Sequence, residues 1–175
     1  MTEPEPVILV GHSMGGVVIS QAAEYRPEKV KTLVYLAAFL LRDGESVVQV
    51  SQNDTESLLM PNLIIDTDKG HVAVREDLAR EIFYGDCSDE DVSRARSLLV
   101  PDAAAPFATP LRISEKNFGR IPRGYIECLR DRALSPSFQK MMYTALPCKR
   151  IISMDTSHSP FFSAPDELAS NLMSL

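Results

Sequence analysis

The stretch Gly11-His12-Ser13-Met14-Gly15 fits the pattern G-x-S-x-G and sits between two contrasting segments. Before it runs Val7-Ile8-Leu9-Val10, apolar and mostly β-branched, the composition of a strand buried on both faces of a parallel sheet. After it, Val17, Val18, Gln21 and Ala22 recur at helical spacing, and the helix predicted from Met14 to Tyr25 stops before Pro27. A serine caught between such a strand and such a helix lies on a sharp turn that presents its hydroxyl outward. Gly15 and Gly16 are expected to permit the close strand–helix approach that the turn requires. Few folds accommodate this arrangement, so it constrains the rest of the chain.

The rhythm continues downstream. A second buried strand is predicted over Val30–Phe39, a third over Gly124–Leu129 and a fourth over Lys149–Met154. Helices are predicted over Ser135–Tyr143, with Pro136 in the first turn, and over Pro165–Leu175. Strands alternating with helices imply a parallel sheet. The expected architecture is α/β: about four parallel strands with flanking helices, and an inserted, mostly helical cap. The core is residues 1–41 and 119–175, and the cap is 42–118. Within the cap, Leu63–Asp66 and His71–Val74 flank a turn and read as a hairpin, and Glu76–Tyr84 reads as helical. Ser88, three residues before Asp91, caps a helix running to Leu99, and Pro101–Pro110 reads as loop. In sheets of this kind ligands bind at the carboxyl ends of the strands, beneath such an insertion.

At 175 residues the chain suits one domain. Its formal charge of −6 argues against nucleic acid, which needs clustered Lys and Arg. The charge is uneven: 15 acidic and 8 basic residues fall between Arg42 and Phe118. No apolar run has the length of a membrane span. The acidic start, Met1 to Pro6, does not resemble a secretory leader, and three cysteines (Cys87, Cys128, Cys148) form neither a disulfide framework nor a metal-type pair. A cytoplasmic protein with reduced thiols is the expectation.

A serine hydroxyl becomes a nucleophile when a base takes its proton and a third group orients that base. Of three histidines, His12 lies inside the turn and points away from the Ser13 hydroxyl. His71 lies in the hairpin, and His158 follows the last strand. His158 is the expected base. Asp131, directly after the third strand, is the expected orienting acid. Asp43, after the second strand, is an alternative, and Asp155 reads as the cap of its own turn. The order Ser13, Asp131, His158 is one of the known orders for such triads.

These residues resemble the α/β-hydrolase superfamily, and within it the branch of plant methyl-ester esterases, hydroxynitrile lyases and small bacterial esterases. The resemblance rests on Val10 to Gly16, Val34-Tyr35-Leu36-Ala37-Ala38-Phe39, Tyr125 to Asp131, and Ser157-His158-Ser159-Pro160. It implies hydrolysis of a small carboxylic ester without a cofactor or metal. Ser13 is then the nucleophile, and the Met14 N–H is an oxyanion donor. His12, Phe39, Leu40, Phe107 and Phe161, with Phe162, line the substrate pocket. Lyases of this branch carry lysine after the catalytic histidine. Ser159 stands there in this chain, which favours the esterase.

The resemblance also implies roughly four strands and a second oxyanion donor ahead of the Val7 strand, with no counterpart in these 175 residues. One lost donor costs about 10²–10³ in rate. A non-catalytic remnant binding a ligand or partner chain is therefore the alternative reading. The Val7–Val10 strand becomes an apolar edge, expected to be covered in a homodimer or higher oligomer or by a second polypeptide. Ile8→Lys is then expected to make the protein insoluble.

Overall fold

The computed structural model describes residues 5–175; the acidic first residues, 1–4, and with them the start of the expected core, lie outside the described part. In chain order, β1 (Val7–Ser13) leads through the turn into α1 (Gly15–Tyr25), and β2 (Val30–Ala38) follows. The segment after β2 holds α2 (Val47–Ser51), β3 (Leu63–Asp66), β4 (His71–Val74), α3 (Ala79–Phe83), α4 (Asp89–Leu98), β5 (Asp102–Ala103) and α5 (Ala105–Ala108). The chain then returns through β6 (Arg123–Cys128), α6 (Pro136–Ala145), β7 (Arg150–Met154), α7 (Pro160–Ser163) and α8 (Pro165–Met173).

Two sheets result. One is parallel, in the order β1-β2-β6-β7, and the other is antiparallel, in the order β3-β4-β5, and belongs to the segment between β2 and β6. Along β2 the side chains alternate between the two faces of the parallel sheet. Leu33 and Tyr35 enter the larger core, with Phe39, Phe138 and Met142, while Val34 and Leu36 join Ile126, Met154 and Leu168 on the other side. Every residue from Leu33 to Leu41 is buried, as the continuous apolar run predicts.

The flanking helices carry the expected local signals. Ser135 accepts the Phe138 N–H with Pro136 in the first turn, and Ser88 accepts the Asp91 N–H. The helix α2 was not anticipated, although its capping box is readable: the Ser46 hydroxyl accepts from Gln49 N–H, and the Gln49 side chain accepts from Ser46 N–H.

Several expectations are corrected. The Val7–Val10 run is not buried on both faces, because β1 is an edge strand. Val7, Ile8 and Val10 are 51%, 47% and 45% exposed. The buried residues of α1 are Gly16, Ile19, Ser20 and Ala23, while Val18, one of the residues at helical spacing, is exposed. Small residues win the buried face because the helix lies so close to β2. An ideal Cβ on Gly16 would sit 2.3 Å from the Phe39 carbonyl oxygen. The expected loop at Pro101–Pro110 contains β5, which pairs with β4, and the single turn α5. Glu76–Tyr84 splits into a 3₁₀ turn, Glu76–Leu78, and α3. The short helix α7 fills a stretch for which no element is predicted.

Candidate active site

Ser13 closes β1 with φ of 54°, a left-handed conformation that a residue with a Cβ adopts only under constraint. The constraint comes from both sides. The partner register slips at this point, with His12 opposite Leu36 but Ser13 opposite Ala38, so Ala37 is an extra residue and also has positive φ, 40°. The bulge is pinned by Tyr125, whose buried hydroxyl donates to the Ala38 carbonyl (2.7 Å) and accepts from the Ala38 N–H (3.1 Å). Phe39 N–H then donates to the Ser13 carbonyl at 3.0 Å. On the other side, Gly11 admits the first turn of α1: a Cβ there would meet the Gly15 carbonyl oxygen at 2.6 Å. The close approaches belong to Gly11 and Gly16, whereas a Cβ on Gly15 would meet nothing within 4 Å, so that part of the expectation is corrected.

Met14, at the positive end of α1, accepts the Val17 N–H through its carbonyl. Its own N–H has no hydrogen-bond partner among the described residues. It is a free donor beside Ser13.

Asp131 and His158 come together from the ends of β6 and β7. His158 Nδ1–H donates to Asp131 Oδ2 at 2.7 Å, with both side chains buried. The carboxylate is a pure acceptor here, so the proton sits on Nδ1 and Nε2 is left as the basic nitrogen. Asp131 is held in turn: Oδ1 accepts the N–H groups of Ala133 (2.7 Å) and Leu134 (2.9 Å), and Oδ2 also accepts from Gln139 Nε2 (3.2 Å). Gln139 is fully buried and further donates to the Leu134 carbonyl, which ties α6 to this turn. Neither Nε2 of His158 nor Oγ of Ser13 has a hydrogen-bond partner among the described residues. Such catalytic contacts are commonly long without substrate.

The other acids are placed elsewhere. Asp43 accepts the Ile113 N–H, which is a structural role. Asp155 does not cap its turn; its carbonyl and its exposed carboxylate both meet the Arg130 guanidinium. His71 is exposed on β4.

The expected pocket residues separate. His12 meets His158: its Nε2–H donates to the His158 carbonyl at 2.8 Å, and the two rings are 4.4 Å apart. Burial, and then the neighbouring His158 charge, pull the His12 pKa down to about 3, so the ring is neutral near pH 7. Phe161 stands edge-on to His12 at 5.0 Å and is 40% exposed. Phe162 packs on Tyr84. Phe39 reaches Ser13 through its backbone, while its ring packs on Phe138. Leu40 is buried and lines a cavity of about 220 Å³ that Ser13 does not border, and Phe107 packs against the larger core. The ring of Phe83, from α3, lies 5.6 Å from that of His158 and was not anticipated. No local signal marks it, because the contact joins segments 75 residues apart. The described residues contain no cluster of His, Cys, Asp and Glu able to hold a metal ion, and no helix long and apolar enough to cross a membrane.

A family model described as the alpha/beta hydrolase family matches residues 2–171. A pyrethroid hydrolase of Sphingobium wenxiniae is 33% identical over 171 residues, covering 93% of this chain and 60% of that protein. Methylesterase 17 of Arabidopsis thaliana is 29% identical over 175 residues, covering 93% of this chain and 63% of that protein. The crystal structure of a pyrethroid hydrolase from Sphingobium faniae superposes with a TM-score of 0.86 at 28% identity, covering 98% of this chain and 71% of that one. The chain thus spans less than two thirds of the length of these two sequence relatives.

Proposed function

This chain belongs to the alpha/beta-hydrolase family, and from that premise we propose that it is a serine carboxylesterase acting on small, short-chain or aromatic, carboxylic esters. The observation that carries the reading is the buried Asp131–His158 pair, with His158 Nε2 unpartnered among the described residues and the His158 carbonyl held by His12, the residue before the strained Ser13. The names methylesterase and hydrolase borne by the relatives support ester cleavage.

In this mechanism His158 Nε2 takes the Ser13 hydroxyl proton as Oγ attacks the ester carbonyl carbon. The Met14 N–H donates to the oxyanion of the tetrahedral intermediate. The imidazolium, its Nδ1–H held on Asp131, returns the proton to the departing alcohol, and the acyl group remains on Ser13. Water repeats the sequence with the same base and releases the acid. We also propose a cytoplasmic protein, with the free cysteines in keeping, that self-associates along β1.

One observation favours a second reading, a non-catalytic binding module: the Ser13 hydroxyl has no hydrogen-bond partner among the described residues. Hydrolysis of p-nitrophenyl acetate and butyrate, measured beside Ser13→Ala and Asp131→Asn, separates the two. The esterase predicts turnover lost in Ser13→Ala and reduced in kcat by about 10⁴ in Asp131→Asn, where the wrong tautomer is favoured. Equal background rates in all three proteins would move the assignment to the binding module.

A further inference from the structure

The loop that carries His158 has no ladder or helix of its own from Asp155 to Ser159, yet every residue in it is held by a residue outside the loop. Asp155 meets Arg130 through its carbonyl and carboxylate, and the Thr156 carbonyl accepts the Arg130 N–H at 2.9 Å. Ser157 donates twice to Asp86, from its N–H to Oδ2 at 2.8 Å and from its hydroxyl to Oδ1. The His158 carbonyl accepts from His12, and the Ser159 carbonyl lies 4.0 Å from the Cys87 sulfur.

Asp86 is the centre of this set. It lies between α3 and α4, in the segment inserted between β2 and β6, with its side chain only 11% exposed. Besides Ser157 it pairs with Arg130 Nη2 at 3.3 Å, and Arg130 directly precedes Asp131. One carboxylate therefore joins the turn bearing the acid, the loop bearing the base and the inserted segment. Burial alone would push its pKa up, but the two Ser157 bonds and the Arg130 charge outweigh this and hold it below the ordinary value.

We propose that Asp86 is a positioning residue for His158: by clamping Ser157 and Arg130 it fixes the base against Asp131 and over Ser13. This rests on reading His158 as the base. Charge-assisted bonds are short and directional, so they suit a position where a displacement of about 1 Å can cost 10²-fold in rate. The inserted segment would then help build the catalytic machinery as well as lie near it.

The test compares the full chain with Asp86→Ala and Asp86→Asn. Three readouts are taken: thermal unfolding by circular dichroism, the low-field proton resonance of His158 Nδ1–H, assigned by its loss in His158→Gln, and ester turnover. The expected result for Asp86→Ala is a folded protein whose Nδ1–H resonance is lost to solvent exchange, with kcat lower by about 10- to 100-fold and KM little changed. Asp86→Asn keeps an acceptor for Ser157 and recovers part of both signals. If Asp86→Ala does not fold, Ser157→Ala, which removes only the hydroxyl bond, is read in the same way. An Asp86→Ala protein with the wild-type resonance and kcat overturns the clamp, and so does a wild-type chain that lacks the resonance. A resonance that depends on Asp86, in a chain with no Ser13-dependent turnover, keeps the clamp and removes the esterase reading instead.

Discussion

His12 shows how one side chain can hold a neighbouring loop through a single bond. Its Nε2–H is committed to the His158 carbonyl, and a neutral ring is needed to share that space with a second imidazole. Protonation of His12 is penalised in the folded state and not in the unfolded chain. With a folded pKa of about 3 against 6.5 unfolded, the unfolded state binds more protons between these values. Stability is therefore lost as pH falls below about 6.5, and the loss levels off near 3. His12→Gln keeps an amide donor but does not titrate. Its melting temperature is expected to fall less than that of the wild type between pH 7 and pH 4, when both are followed by circular dichroism. Parallel pH curves would show that His12 is not held neutral.

At the level of elements, the site depends on how closely α1 lies on the sheet. The adjacent glycines Gly15 and Gly16 make a matched comparison, because one faces open space and the other faces backbone. Gly16→Ala forces a methyl against the Phe39 carbonyl, which neighbours the Phe39 N–H bond to Ser13. Overpacking of this kind costs about 1–3 kcal/mol, and the shift of Phe39 is expected to reduce turnover as well. Gly15→Ala meets no atom and gains helix propensity, so its stability should match or exceed that of the wild type. Urea denaturation of the two variants checks this, and similar losses in both would refute the close-packing account. The capped helix α4, whose buried residues Val92 and Ala95 belong to a separate cluster, should be unaffected.

Across the whole molecule the unusual feature is the position of β1. It carries Ser13 at one end and an apolar, half-exposed row at the sheet edge, where Val7, Ile8 and Val10 present side chains to solvent. Exposed edges of this composition pair with other strands. The expected behaviour is association at micromolar concentration, read by size-exclusion chromatography with light scattering as a mass above the 19.4 kDa of one chain. Ile8→Lys should lower the yield of soluble protein. A clean monomer across that range would exclude edge pairing.

The parts of this protein that were legible in the sequence are those set by neighbours along the chain. The four strands of the parallel sheet, the caps at Ser88 and Ser135, and the turn at Ser13 each depend on periodicity or hydrogen bonds within a few residues. The juxtaposition of Asp131 and His158 was also legible, because strand order fixes which loops share one edge of the sheet. What only the tertiary structure decided depends on segments far apart in sequence. The buried face of α1 follows its distance from β2 rather than its own apolar pattern, and β5 exists only because β4 offers it a partner. The ring of Phe83 beside His158, and the grip of Asp86 on Ser157, likewise have no local signature. Side-chain contacts across the inserted segment are settled by packing, and packing is a property of the assembled chain.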